Sequence, residues 1–145
     1  MIRNMTPEDK ELLIKDLCAR LPYNVICQVE FKENGKYNSK VMLLSVIFTD
    51  EAYFTTKGGS IYSNEYKPYL FPLSSMTEEQ EDEWYEIFID PLSKKLDKHT
   101  RQEYLQFQAD AQAFGIEYLL KNHFDYRGLI EKSLALDATN LGVYE

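Results

Sequence analysis

Apolar residues recur along the chain with a period that changes from place to place, and each change marks an element. Leu13, Ile14, Leu17, Cys18 and Leu21 are spaced by three and four, which places them on one helix face. Thr6 can cap that helix, Pro7 suits its first turn, Glu8 and Asp9 complement its positive end, and Pro22 stops it. A helix from Pro7 to Leu21 is predicted. Next, Val25, Cys27, Val29 and Phe31 alternate with polar Gln28 and Glu30, the period of a strand buried on one side. Asn34-Gly35 predicts a two-residue hairpin. The return strand, Lys40 to Phe48, is apolar at both parities, which predicts a central strand covered on both faces. Ala52 to Thr56 and Ile61 to Tyr66 read as shorter strands around the turn Lys57-Gly58-Gly59-Ser60.

Lys67 to Leu73 carries two prolines, which lack donors and fix the chain extended. The segment is predicted to be a strap, neither helix nor central strand, with Leu70 or Phe71 in the core. Thr77-Glu78-Glu79-Gln80 is a capping box, opening a helix whose buried stripe is Trp84, Tyr85 and Phe88 and which Asp90-Pro91 ends. A second box, Thr100-Arg101-Gln102-Glu103, opens the longest helix, with Tyr104, Phe107, Ala111, Phe114 and Tyr118 on one face and Asn122 as its C-terminal cap. A short last helix is predicted near Gly128 to Leu136. The order α-β-β-β-(β)-α-α-α predicts an α+β fold: a three- or four-stranded antiparallel meander packed against about four helices, in a single domain over residues 1–145.

A chain of 145 residues can bury a core without staples. Its 44% hydrophobic and 14% aromatic content excludes a disordered chain. The net charge of −8 argues against nucleic acid or an anionic membrane as partner. The acid excess reads first as plain solubility and second as a surface for a basic partner. Eleven tyrosines suit either core rims or a binding surface. Cys18 and Cys27 form no C-x-x-C pair and read as buried thiols of a reducing compartment. Met1 to Lys10 is polar, without a secretory signal, and Val41 to Phe48 is too short to span a bilayer. A cytoplasmic protein is expected.

Candidate chemistry is sparse. His99 and His123 flank the long predicted helix of about 22 residues, roughly 33 Å, so an unbroken helix keeps them from sharing an ion. Glu78, Glu79, Asp82 and Glu86 share a helix face that reads as a solvated acidic surface rather than a magnesium site. Ser74-Ser75 has no nucleophile elbow around it, and Gly58-Gly59 belongs to no phosphate loop. Lys94, Lys95, Lys98, His99 and Arg101 form a basic cluster with no aromatic platform inside it, which reads as a connector neutralising the acidic helix just before it. No catalytic residue, metal site or cofactor is therefore expected. The compact polar cluster Asp125, Tyr126 and Arg127 is the candidate binding site, since Arg127 can grip a carboxylate or phosphate bidentately. The structural alternative has Asp125 capping the last helix while Tyr126 or Arg127 locks the tail to the body.

Three blocks carry a resemblance: Leu17-Cys18-Ala19-Arg20-Leu21-Pro22-Tyr23, the strap through Thr77 (Lys67-Pro68-Tyr69-Leu70-Phe71-Pro72-Leu73-Ser74-Ser75-Met76-Thr77), and Phe124-Asp125-Tyr126-Arg127-Gly128-Leu129-Ile130-Glu131-Lys132. Together they resemble a set of small proteins without assigned activity from anaerobic gut bacteria and their phages or integrated mobile elements. The blocks cover about a fifth of the chain, at its start, middle and end. The resemblance implies a phage or mobile-element context and carries over no catalytic residue. Its members typically have Gly after the Tyr of the first block and again near Lys132, where this chain has Asn24 and Ser133.

The expectation is a non-enzymatic phage or mobile-element accessory protein that binds another protein. Two readings compete with it: a small enzyme with its site near Asp125, Tyr126 and Arg127, and an acidic nucleic-acid mimic that inhibits a host protein.

Overall fold

The computed structural model of the chain describes residues 5–47, 52–56, 59–88, 113 and 115–145. Helix α1 (Pro7–Arg20) begins as its sequence dictates: the Asp9 amide donates to Thr6 Oγ1 at 3.0 Å. Strands β1 (Ile26–Glu33) and β2 (Lys36–Ile47) form a hairpin through Asn34 and Gly35, both at positive φ (51° and 78°). That geometry is the primed turn whose twist matches the strands it joins. Strands β3 (Ala52–Thr56) and β4 (Gly59–Ser63) continue the antiparallel order β1-β2-β3-β4. A bulge between Leu44 and Val46 bends β2.

The proline-bearing strap is itself a strand, β5 (Glu65–Pro72), and it lies inside the sheet rather than at its edge. This corrects the expectation drawn from its two prolines. The first half of β5 pairs antiparallel with β1, from Glu65 opposite Glu30 to Pro68 opposite Cys27. The second half pairs parallel with two short strands, β6 (Phe124–Asp125) and β7 (Leu136–Asp137). Tyr144 explains how Pro68 is accommodated. Its hydroxyl donates to the Tyr69 carbonyl at 2.7 Å and accepts from the Ile26 amide at 3.0 Å. It thereby stands in for the next rung of the β1–β5 ladder. Since Tyr69 directs its carbonyl toward β1, the backbone of Pro68 faces the other way, where a missing N–H breaks no rung with β1.

Only Asn64 separates β4 from β5, yet β4 pairs with β3 and β5 pairs with β1. The two strands behave as one strand bent at a corner, which closes the ladder on itself. Ser63 holds the corner: its hydroxyl donates to the Glu30 carbonyl at 2.6 Å and accepts from the Glu65 amide at 3.0 Å. The enclosed core contains Cys27 and Val29 of β1, Met42 and Leu44 of β2, Ala52 and Phe54 of β3, and Tyr66 and Leu70 of β5. Leu13 and Leu17 of α1 cover it, together with Leu129, Leu134 and Ala135 of the C-terminal segment. The α+β class is as expected, but the described residues contain seven strands rather than three or four. β2 is central, but its outer face is open, with Val41 half exposed, because a sheet that closes on itself buries only its inner face.

The second helix, α2 (Glu78–Phe88), opens with the expected capping box: the Gln80 amide donates to Thr77 Oγ1 at 3.1 Å, and the Thr77 amide to Gln80 Oε1 at 2.9 Å. Residues 115–121 are helical; the rest of the predicted long helix, its capping box and the basic cluster around His99 lie outside the described residues. The predicted last helix is absent: residues 129–133 form a turn and Leu136 belongs to β7. Gly128 (φ 75°) and Ser133 (φ 60°) bracket that turn, leaving too few residues between left-handed positions to propagate a helix. Cys18 is exposed, not buried. The buried stripe of α1 is Leu13, Asp16, Leu17 and Arg20, rotated away from Ile14, Cys18 and Leu21. No helix among the described residues is long and apolar enough to cross a membrane.

Leu70 is fully buried, while Phe71 is half-buried against Phe124 and Tyr144. Leu70→Ala is expected to destabilise the protein by about 2–5 kcal/mol, and Phe71→Ala by less, in urea denaturation at neutral pH. Equal losses, or a loss below about 1 kcal/mol at Leu70, would contradict the placement of β5 inside the sheet.

Candidate functional site

The Asp125–Arg127 cluster sits where the chain leaves the helical residues 115–121. Asn122 closes that helix, its Nδ2 donating to the Tyr118 carbonyl at 2.9 Å. His123 then adopts φ 64° and reverses the chain, and its carbonyl accepts the Phe71 amide at 2.8 Å. This delivers Phe124 and Asp125 to the side of β5. The Asp125 carboxylate is buried and accepts the amides of Leu129 and Ile130, both at 2.9 Å. It therefore organises the turn that replaces the last helix. Arg127 lies over the Tyr126 ring, 4.7 Å from its centroid, and its Nε donates to Asp16 Oδ1 at 3.2 Å.

Asp16 is the focus of the cluster. It is fully buried, and a second guanidinium reaches it from the same helix: Arg20 Nε donates to Oδ2 at 2.6 Å and Nη2 to Oδ1 at 3.2 Å. Arg20 is fully buried as well, and its Nη2 also donates to the Phe124 carbonyl at 2.6 Å. Two arginines from opposite ends of the chain thus converge on one carboxylate. Removing one partner from such a buried ionic group costs about 3–5 kcal/mol, because the remaining charge is left without its partner or water. Arg20 Nη1 and His123 Nδ1 are buried side-chain nitrogens without a hydrogen-bond partner among the described residues.

The structure brings together Arg127 and Asp16, which the sequence did not associate, and turns Asp125 away toward backbone amides. Asp16, Arg20, His123 and Tyr144 complete the cluster and were not anticipated. A signal for two of them was present: Asp16 and Arg20 fall at i,i+4 in register with Leu13 and Leu17, so they share the buried face. The His123 ring stacks on Tyr144 at 3.6 Å between centroids and 11° between planes. Burial, reinforced by the Arg20 charge, pulls the His123 pKa down to about 4, so its imidazole is neutral at physiological pH. Burial pushes the Cys27 thiol far up and keeps it protonated, which removes it as a nucleophile. Among the described residues no group of three or more His, Cys, Asp or Glu side chains could hold a metal ion.

Two surface regions contrast with this internally paired cluster. On the outer face of the sheet, Tyr37 and Val41 of β2, Tyr53 of β3 and Tyr62 of β4 are exposed, Tyr37 by 63% and Tyr62 by 53%. Tyr53 and Tyr62 are directly opposite in register, with ring centroids 4.8 Å apart. The second region is a groove lined by Leu73, Met76, Glu81, Trp84, Tyr85 and Leu119. Its walls are tied together by Trp84 Nε1 donating to the Gly115 carbonyl at 3.3 Å and the Tyr118 hydroxyl donating to Glu83 Oε2 at 2.9 Å. Trp84 is half-buried and Tyr85 is exposed, so the predicted buried stripe of α2 is not fully covered; the side chain of Phe88 lies outside the described residues.

Comparison with family models, with curated proteins and with solved structures finds no match to this chain. The site must be read from its own geometry.

The depressed pKa of His123 has a stability consequence. Below pH 6.5 the unfolded imidazole takes up a proton that the folded ring refuses until about pH 4. Stability therefore falls as pH drops through that window and levels off beneath it. The ring keeps part of its exposure, so the loss is expected to be about 1–2 kcal/mol rather than the full value of the shift. His123→Asn tolerates the positive φ and removes the titration. Urea denaturation at pH 7.5 and pH 4.0 should show a larger loss in the wild type than in the variant; identical losses would contradict the buried neutral ring.

Proposed function

We propose that this protein is a non-enzymatic binding module whose partner is another protein, in the phage or mobile-element setting that its sequence blocks imply. The observation that carries this reading is the aromatic outer face of the sheet. Tyr37, Val41, Tyr53 and Tyr62 lie on three adjacent strands and are exposed, with no described element laid over them. A tyrosine ring in such a place contributes large contact area with little side-chain entropy to lose, and its hydroxyl finds a hydrogen bond at the edge of an interface. The face is rigid because the strands beneath it are held by the closed ladder and by Phe54 packing at a tilt against Tyr66 in the core, 5.2 Å between centroids and 54° between planes.

The enzyme reading drew its chemistry from Asp125 and Arg127. Asp125 accepts two backbone amides and Arg127 donates to Asp16, engagements that suit a clasp within the chain. The test is comparative affinity capture from lysate of the organism that encodes the protein, using the wild type and the double variant Tyr37→Ser, Tyr62→Ser. Both positions are exposed, so the melting temperature should be retained. A protein captured by the wild type and recovered at least tenfold less with the variant is the expected result. Identical captured sets, or no capture above background, would overturn the reading.

A further inference from the structure

The ionic cluster around Asp16 leaves one end of Arg20 unused. The guanidinium is fully buried. Its Nε donates to Asp16 Oδ2, and its Nη2 donates to Asp16 Oδ1 and to the Phe124 carbonyl. The N–H groups of Nη1 have no partner among the described residues. A guanidinium keeps its charge inside a protein, so it cannot shed a proton to escape the cost. A buried donor left without an acceptor carries the full desolvation penalty of that group. A second orphan lies in the same part of the fold. His123 Nδ1 is buried and has no partner among the described residues. His123 directly precedes Phe124, whose carbonyl Arg20 holds, and the Arg20 charge acts on the imidazole together with burial to keep it neutral. Stacking on Tyr144, 3.6 Å between centroids, fixes the plane of the ring, and the Phe71 amide holds the His123 carbonyl at 2.8 Å.

A neutral imidazole carries one N–H and one lone pair. Near a guanidinium the lone pair is the favoured neighbour, which puts the proton on Nε2 and leaves Nδ1 an acceptor. Arg20 Nη1 then offers donors and His123 Nδ1 an acceptor, yet the two are not hydrogen-bonded to each other. One water molecule matches both, accepting from Nη1 and donating to Nδ1. Buried waters of this kind satisfy polar groups that a protein does not pair directly. An anion has no proton to give Nδ1, and a cation is repelled by Arg20.

We propose that an internal water molecule bridges Arg20 Nη1 and His123 Nδ1 and is a fixed component of the clasp between α1 and the C-terminal segment. It completes the hydrogen bonding of the buried guanidinium. It also ties the imidazole to α1, so that the chain reversal at His123, with φ 64°, is held by its side chain as well as by its carbonyl. The site stands whether or not the tyrosine face binds a protein.

Two measurements on the wild-type chain test this, and neither needs a variant that might not fold. In solution NMR of the ¹⁵N-labelled protein at neutral pH, the His123 ring is expected to carry its proton on Nε2 and none on Nδ1. The Nη1 protons of Arg20 should show cross-peaks to water of opposite sign in NOE and ROE spectra. That sign pattern marks a water held in place, whereas proton exchange with bulk solvent gives the same sign in both. In crystals grown with sodium bromide, one solvent peak should lie about 2.7–3.2 Å from both nitrogens and give no anomalous bromide signal. A proton on Nδ1, or water cross-peaks at Nη1 that arise from exchange alone, would overturn the proposal. So would a direct hydrogen bond from either nitrogen to a protein group, a bromide ion at the site, or two well-defined side chains with no solvent peak between them.

Discussion

A carboxylate cut off from water must have its solvation replaced by the protein, and Asp16 obtains that replacement from two guanidinium groups. Arg20 comes from its own helix and Arg127 from the segment after the last described helix. The arrangement joins the two ends of the chain across the closed sheet. It also fixes where the C-terminal segment begins, because Arg20 holds the Phe124 carbonyl as well. From that anchor follow the two residues of β6, the turn organised by Asp125, the two residues of β7 and the hydroxyl of Tyr144 between β1 and β5. Strands of two residues contribute little stability by themselves. They persist because the ionic cluster at one end and the tyrosine at the other hold the segment in register. An apolar cluster in place of the ions would be at least as stabilising, but it would not select one register of a short parallel pairing.

Much of the β-region was legible because local chemistry and tertiary structure agree there. The Asn-Gly turn, the alternation of Val25 to Phe31, the Thr6 cap and the Thr77–Gln80 box all act over a few residues, and the structure shows each acting as its spacing implies. Asn24, after the Tyr of the first block, also takes the left-handed conformation that Asn tolerates, with φ 59°. The errors share a different origin. Pro68 and Pro72 were read as exclusions from a central strand, but the cost of a proline depends on which way its missing N–H would point, and that is decided by partners far along the chain. A charged i,i+4 pair such as Asp16 and Arg20 ordinarily faces water. Here Arg127, 111 residues from Asp16, turns the pair inward, and the apolar face of α1 rotates with it.

The same contrast separates the interior from the surface in functional terms. The polar groups that looked most reactive in the sequence are committed to one another or to backbone. What faces outward among the described residues is an aromatic sheet face and a mostly apolar groove beside α2. In the proposed module the ionic cluster contributes by holding the C-terminal segment against β5, so that the sheet beneath the exposed rings does not have to be ordered at the moment of binding.

The claim at the centre of this account is that Asp16 holds the C-terminal segment onto the sheet. Amide hydrogen exchange of the wild type and Asp16→Asn, followed residue by residue at neutral pH, tests it directly. The account predicts that the amides of Phe71, Leu129, Ile130, Leu134 and Ala138, whose acceptors belong to that segment or to β5 beside it, lose protection together. The amides of the β1–β2 hairpin should keep theirs, since local opening proceeds in cooperative units. Loss of protection confined to α1, or spread evenly over the β1–β2 hairpin and the C-terminal segment, would contradict it.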